Sequence, residues 1–236
     1  MRTPLEPGDL ARIDEFTSHI ERDYGRGILL NYEVATKMIA TRIWNVFRRD
    51  DSFDDLAVVR FYRWTRTADL PPDMAALVDD PAVPYWMMLT GTCGMIYDWT
   101  RRYQSGKHRL IKPGPDLLAA LPQAAFTQLG LETGAVLPPA FQDQVWAEDG
   151  TCRVYIAPAV EHPLLPDQES FLYLCGVKSV LGFGARFPSG SAYVMLAYPR
   201  VPVSRSAASV FYHLEPFITR FLTPYDQRPV LWSKLL

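Results

Sequence analysis

The sequence predicts an α+β protein: a central antiparallel β-sheet with flanking helices and a helical extension at its N-terminus. Two observations point there. The patterned segments run helix, helix, strand, strand, short helices, strands, hairpin, helix, a mixture that segregates helices from an antiparallel sheet rather than winding them around a parallel one. And no Gly-x-Gly-x-x-Gly or Walker loop punctuates the chain, as strand-helix alternation of the nucleotide-binding kind would require.

Each element has its reason. From Pro7 to Tyr24, Leu10, Ile13, Phe16, Thr17 and Ile20 recur at steps of three and four, one apolar stripe on a helix, which Gly25 and Gly27 end. A second helix spans about Glu33 to Arg49, with Val34, Met38, Ile39, Ile43, Val46 and Phe47 as its stripe. Asp50, Asp51, Asp54 and Asp55 then make a polar turn. Leu56 to Trp64 reads as a strand, rich in branched and aromatic residues, with Val59, Phe61 and Arg63 on one face and Val58, Arg60, Tyr62 and Trp64 on the other. Pro72 to Val78 is a short helix, and Tyr85 to Thr90 a second strand that Gly91 stops. Met95 to Tyr103 is a short helix, Arg109 to Lys112 a brief strand, and Leu117 to Leu129 a helix closed by Gly130 despite Pro122 inside it. Further strands are predicted at 135–137, 153–157, 177–183 and 192–198. Phe187-Pro188-Ser189-Gly190-Ser191 turns the last two into a hairpin, and Asp149-Gly150 is another hairpin turn. Ser204 then caps a helix striped by Val210, Phe211, Leu214, Phe217, Ile218, Phe221 and Leu222, which Pro216 kinks or splits. The helices are expected on one face of the sheet. Residues 225–236 form a strap anchored by Trp232.

Composition excludes several classes. The chain has 236 residues, 48% of them hydrophobic and 21% charged, too apolar for disorder. A net charge of -2 supplies no general field for nucleic acid. No apolar run reaches the roughly 18 residues of a membrane span, and Met1 to Pro7 carries no apolar signal core. Cys93, Cys152 and Cys175 are too dispersed for a zinc motif and suit a reduced cytoplasmic compartment, as buried hydrophobes. What stands out is rings: 6 Trp, 12 Tyr and 12 Phe.

The stretch Gly176-Val-Lys-Ser-Val-Leu-Gly-Phe-Gly184, the turn and strand Pro188 to Leu196, and Arg200-Val-Pro-Val203 resemble GAF-like sensory domains of bacterial signalling proteins. Leu89 to Arg109 and Gln128 to Leu137 are similar more loosely, so the resemblance covers about 54–224, leaving 1–53 as the helical extension. It implies a pocket on one sheet face and a stand-alone sensor acting through a dimer or a signalling partner. The family's motifs for known ligands are absent. Neither Asn31 nor Asn45 precedes Lys, as a cyclic-nucleotide signature would need, and no Cys precedes His, as bilin attachment often has it. The cofactor stays unknown.

Site chemistry follows the rings. Trp86, Met88, Trp99, Tyr103, His108 and Tyr155 are the candidate lining of a small-molecule pocket, on the argument that one ring set fills the core while the other lies under loops. Arg60, Arg63 and Arg66, interleaved with aromatics, suggest stacking on single-stranded nucleic acid or, the preferred reading, the exposed side of the sheet. The four histidines form no metal-binding spacing, and Ser189 sits in a turn without a nucleophile elbow. The resulting expectation is a ligand-binding sensor, with a small-molecule ligand, a homodimer or a partner protein, no nucleic acid and no membrane. Its rivals are a thiol-dependent small-molecule reductase and an interaction module with a filled core.

Overall fold

A computed structural model describes residues 10–25, 31–47, 56–96, 100, 104–133, 142–165 and 168–226. Its centre is a seven-stranded antiparallel sheet. The strands are β1 (Leu56–Arg66), β2 (Tyr85–Gly94), β3 (Leu110–Ile111), β4 (Val145–Glu148), β5 (Thr151–Ile156), β6 (Val180–Arg186) and β7 (Ala192–Pro199). Their spatial order is β3-β2-β1-β7-β6-β5-β4, so β1 and β7, far apart in sequence, pair at the middle.

Helices cover both faces of this sheet, not one as expected, because both faces are apolar. On one side lie α1 (Leu10–Gly25), α2 (Tyr32–Val46), α5 (Arg205–Tyr212) and α6 (Leu214–Asp226). Phe16, Ile39, Phe211 and Ile218 from these helices share a core with Val59, Phe61, Phe183 and Met195 of the sheet. On the other side α4 (Leu117–Gln128) and the segments around Leu165 and Leu172 pack on Val58, Tyr62, Val154 and Leu196. The alternation along β1 follows from the two-residue strand period and matches the sequence reading. At the β2 end, α3 (Pro72–Ala75) contributes Met74 to a small cluster with Leu70, Trp86 and Met88. Helices α1 and α2, read from sequence as an extension, thus belong to the same core as the sheet.

Local chemistry explains the boundaries. Asn31 caps α2 by accepting the Val34 N–H at 2.9 Å, and Ser204 caps α5 through the Ala207 N–H at 3.2 Å. The final helix divides at His213. Pro216 falls in the first turn of α6, where a missing N–H costs nothing, while the Tyr212 carbonyl at the end of α5 accepts from Arg153 at 3.4 Å. The β4–β5 hairpin turns at Asp149 and Gly150, whose φ values of 51° and 76° both lie in the left-handed region.

Strand β2 and helix α2 differ from the sequence reading for one shared reason. Strand β2 runs through Gly91 to Gly94 instead of stopping there. Gly91 marks the point where α2 crosses the sheet: a Cβ there would stand 2.5 Å from the Thr36 carbonyl carbon. That crossing rotates α2, so Tyr32, Ala35, Thr36, Ile39 and Ile43 are buried while Val34 and Met38 are only half-buried. Most of the predicted 95–103 helix, the 135–137 strand, and the strap beyond Asp226 with Trp232 lie outside the described residues.

Candidate functional site

The arginines of β1 depart furthest from expectation. Arg60 and Arg63 are 3% and 9% exposed, because both sheet faces are covered; only Arg66 reaches solvent. Lying three apart, Arg60 and Arg63 point to opposite faces. Arg63 joins the four-helix side, where Nη2 donates to Asp226 Oδ1 at 2.7 Å and the guanidinium lies 4.6 Å from the Tyr32 ring centre. The Ser191 hydroxyl donates to the same carboxylate oxygen. This is a buried ion pair, tying the end of α6 to the middle of the sheet, although Arg63 Nε and Asp226 Oδ2 make no hydrogen bond.

Arg60, on the α4 side, has no such counterion. Among the described residues no carboxylate pairs with it, and its Nε has no hydrogen-bond partner. Its neighbours are the Tyr62 hydroxyl, which it hydrogen-bonds, and the Phe171 ring at 5.6 Å. Together with His108 and Tyr198 it borders a small chamber between sheet, α4 and two covering segments, the 3-10 turn Gly106–His108 and the π-helical turn Gln168–Tyr173. Leu118, Leu121, Leu165 and Leu172 supply apolar walls. The free volume is about 20 Å³, room for a solvent molecule or a small ion. Pro122 also borders the chamber and deprives the Leu118 carbonyl of its usual helical donor.

The electrostatics are those of a positively charged, weakly solvated enclosure. Burial, then the Arg60 and Lys107 charges, press the His108 imidazole down to about 3, so it is neutral at physiological pH. Burial raises the hydroxyls of Tyr62 and Tyr198, outweighing the Arg60 charge that pulls them down. Both phenols therefore stay protonated and able to donate. Among the described residues that line it, the chamber holds one fixed cation and no anionic side chain.

Of the six sequence-predicted pocket residues, the four that are described do not converge. His108 lines the chamber. Trp86 and Met88, buried, point from β2 to the opposite side and pack against Met74; their strand neighbours Met87 and Leu89 take the α4 side. Tyr155 lies on the four-helix side at the far end of the sheet, its hydroxyl donating to the Val203 carbonyl at 2.9 Å. Trp99 and Tyr103 lie outside the described residues. Sequence reasoning missed Arg60 as a site residue, although its facing partners Tyr62 and Trp64 were legible; no local pattern tells a covered sheet face from an open one.

Other candidates carry less chemistry. A larger groove of about 350 Å³ between α1 and α6 is bordered by Phe16, Ile20, Phe217 and Phe221, with an exposed Arg220–Glu21 pair at 3.2 Å. Among the described residues it offers apolar wall and no buried polar group to orient a ligand. All three cysteines are buried and free, and burial raises each thiol, the opposite of what a reactive thiolate needs. Cys93 belongs to the core of one sheet face, Cys152 and Cys175 to that of the other. His162 is structural: Nδ1 accepts the Leu164 N–H at 3.2 Å, leaving Nε2–H to meet Gln144 Oε1 at 2.6 Å. His213 is exposed. No group of three or more His, Cys, Asp or Glu able to hold a metal occurs among the described residues, and no helix there is long and apolar enough to cross a membrane.

In comparisons with known proteins the chain matches no family model, no curated protein and no solved structure.

Proposed function

We propose that the chain is a GAF-like, cytoplasmic sensory protein that binds a small molecule against its sheet and passes the occupancy of that site to a partner protein or a second copy of itself. The observation that carries this reading is Arg60: a cation 3% exposed that borders a void and, among the described residues, pairs with no carboxylate. A buried charge left without a counterion costs several kcal/mol, and a ligand that compensates it recovers that energy. The reading gives the protein no reaction of its own. Strand β1 supplies a route for the signal, since Arg60 on one face and Arg63 on the other share a backbone, and Arg63 holds the end of α6 through Asp226. A ligand that shifts β1 would therefore bear on the terminal helix.

The test is a small-molecule thermal-shift screen on wild type and on His108→Trp, which fills the chamber mouth from a half-buried turn. The expected result is a compound that raises the Tm of wild type but not of the variant, and alters amide hydrogen exchange in α6. A screen in which no compound moves the wild-type Tm, or in which binding leaves α6 exchange unchanged, overturns it. A thiol reductase gains no support from three buried thiols.

A further inference from the structure

The geometry points to a specific ligand class for the Arg60 chamber: a small planar monoanion presenting two oxygens on one edge, of the size of formate, nitrate or hydrogencarbonate. This rests on the chamber being a ligand site and adds the ligand's charge, shape and size.

Charge comes from comparison within the molecule. Arg63, Arg66, Arg109, Arg153 and Arg220 each have a carboxylate within 4 Å: Asp226, Asp69, Asp73, Glu148 and Glu21. Arg60 is the most buried of these six, yet no carboxylate pairs with it among the described residues. A guanidinium cannot neutralise itself by losing a proton, as a buried lysine can. Its charge is therefore permanent, and a bound anion is its natural complement. Among the described residues no Asp or Glu borders the chamber to compete for that role.

Shape comes from the donors. The Nε–H is unpartnered, as it is in Arg63, Arg109 and Arg153, but Arg60 alone of these four borders the chamber, and Nε–H with an adjacent Nη–H forms the planar fork that fits two oxygens of a carboxylate or flat oxyanion. The Tyr198 hydroxyl and the neutral His108 ring border the same space as additional polar contacts, and no hydrogen bond is made to the His108 ring among the described residues. Leucine walls and the Phe171 ring give the site an apolar border, where a charge-assisted hydrogen bond is stronger than in water. Size comes from the void: about 20 Å³ is little more than the space of one solvent molecule, so only the smallest oxyanions are candidates and a nucleotide or a sugar acid is excluded.

The experiment is titration of the purified full chain with sodium formate, nitrate and hydrogencarbonate. Ionic strength is held constant with sodium gluconate, whose anion is too large for the chamber, and formamide serves as the neutral isostere of formate. A saturable rise in Tm is expected with at least one monoanion and none with formamide. In Arg60→Lys, which keeps the charge but loses the fork, half-saturation should move to at least tenfold higher concentration; in Arg60→Met the response should vanish. Should Arg60→Met fail to fold, the Arg60 Nε–Hε resonance of ¹⁵N-labelled wild type supplies the answer, since it must shift saturably with the anion. No saturable response, an equal response in Arg60→Met, or a stationary Nε–Hε signal overturns the inference. Stabilisation by neutral compounds alone, abolished in His108→Trp, sinks the anion but leaves the sensory reading standing. Failure of every compound of any charge removes both.

Discussion

Residue Arg63 shows what a paired cation does in this interior, and Asp226 is where that can be measured. Asp226→Ala strands the guanidinium among Tyr32 and apolar neighbours and is expected to lower stability by about 3–5 kcal/mol in urea unfolding. The double variant Arg63→Met with Asp226→Leu should cost less than Asp226→Ala alone, because it removes both charges together; an additive loss would mean the pair is not coupled. Gly91 is decisive in a different way. Its missing Cβ leaves room for the α2 backbone, and Gly91→Ala would force Thr36 and Lys37 away from 2.5–2.8 Å contacts. We expect a loss of about 1–3 kcal/mol, read as a lower urea midpoint with unchanged slope. A neutral substitution would show that α2 glides over the sheet without cost.

Elements that present a clean period to one environment were legible. The two-residue alternation of β1, the caps at Ser204, the Pro188–Ser191 hairpin and the split of the last helix all follow from local rules. Elements defined by their neighbours were not. Strand β4 is four residues long with Ala147 and Glu148 exposed, so only its turn at Asp149-Gly150 signals it. The π-helical turn at 168–173 has no period that a sequence pattern tests. Gly91 reads as a strand end because glycine is usually punctuation, whereas here a second layer needs the space. The candidate site suffered from the same blindness. Arg60 was placed on the correct face of the correct strand, but whether that face meets water depends on α4 and the segment from Leu164 to Leu172, more than fifty residues downstream.

At the scale of the whole molecule, two covered faces make acid the vulnerable direction. The folded protein holds the His108 imidazole near 3, against about 6.5 in the unfolded chain, and burial also lowers His162. Below pH 6.5 the unfolded state therefore binds protons that the folded state refuses, and stability falls as pH drops toward 3. Since the His108 ring is only half-buried, we expect its share to be about 1 kcal/mol lost between pH 7 and pH 5. Urea midpoints at those two pH values should differ less in His108→Gln than in wild type; identical differences would mean that His108 does not carry the effect.

The pairing of β1 with β7 also dictates a timetable. Arg63 faces Tyr193, about 130 residues later in the chain, and contacts so distant in sequence form slowly. As the chain leaves the ribosome, β1 and β2 can meet early, but β7, which completes the middle of the sheet, is made after every other described strand. Until then the edge of β1 that pairs with β7 lacks its permanent neighbour. Newly made chains thus pass through a long interval with an open apolar edge, the period in which chaperone capture would matter most.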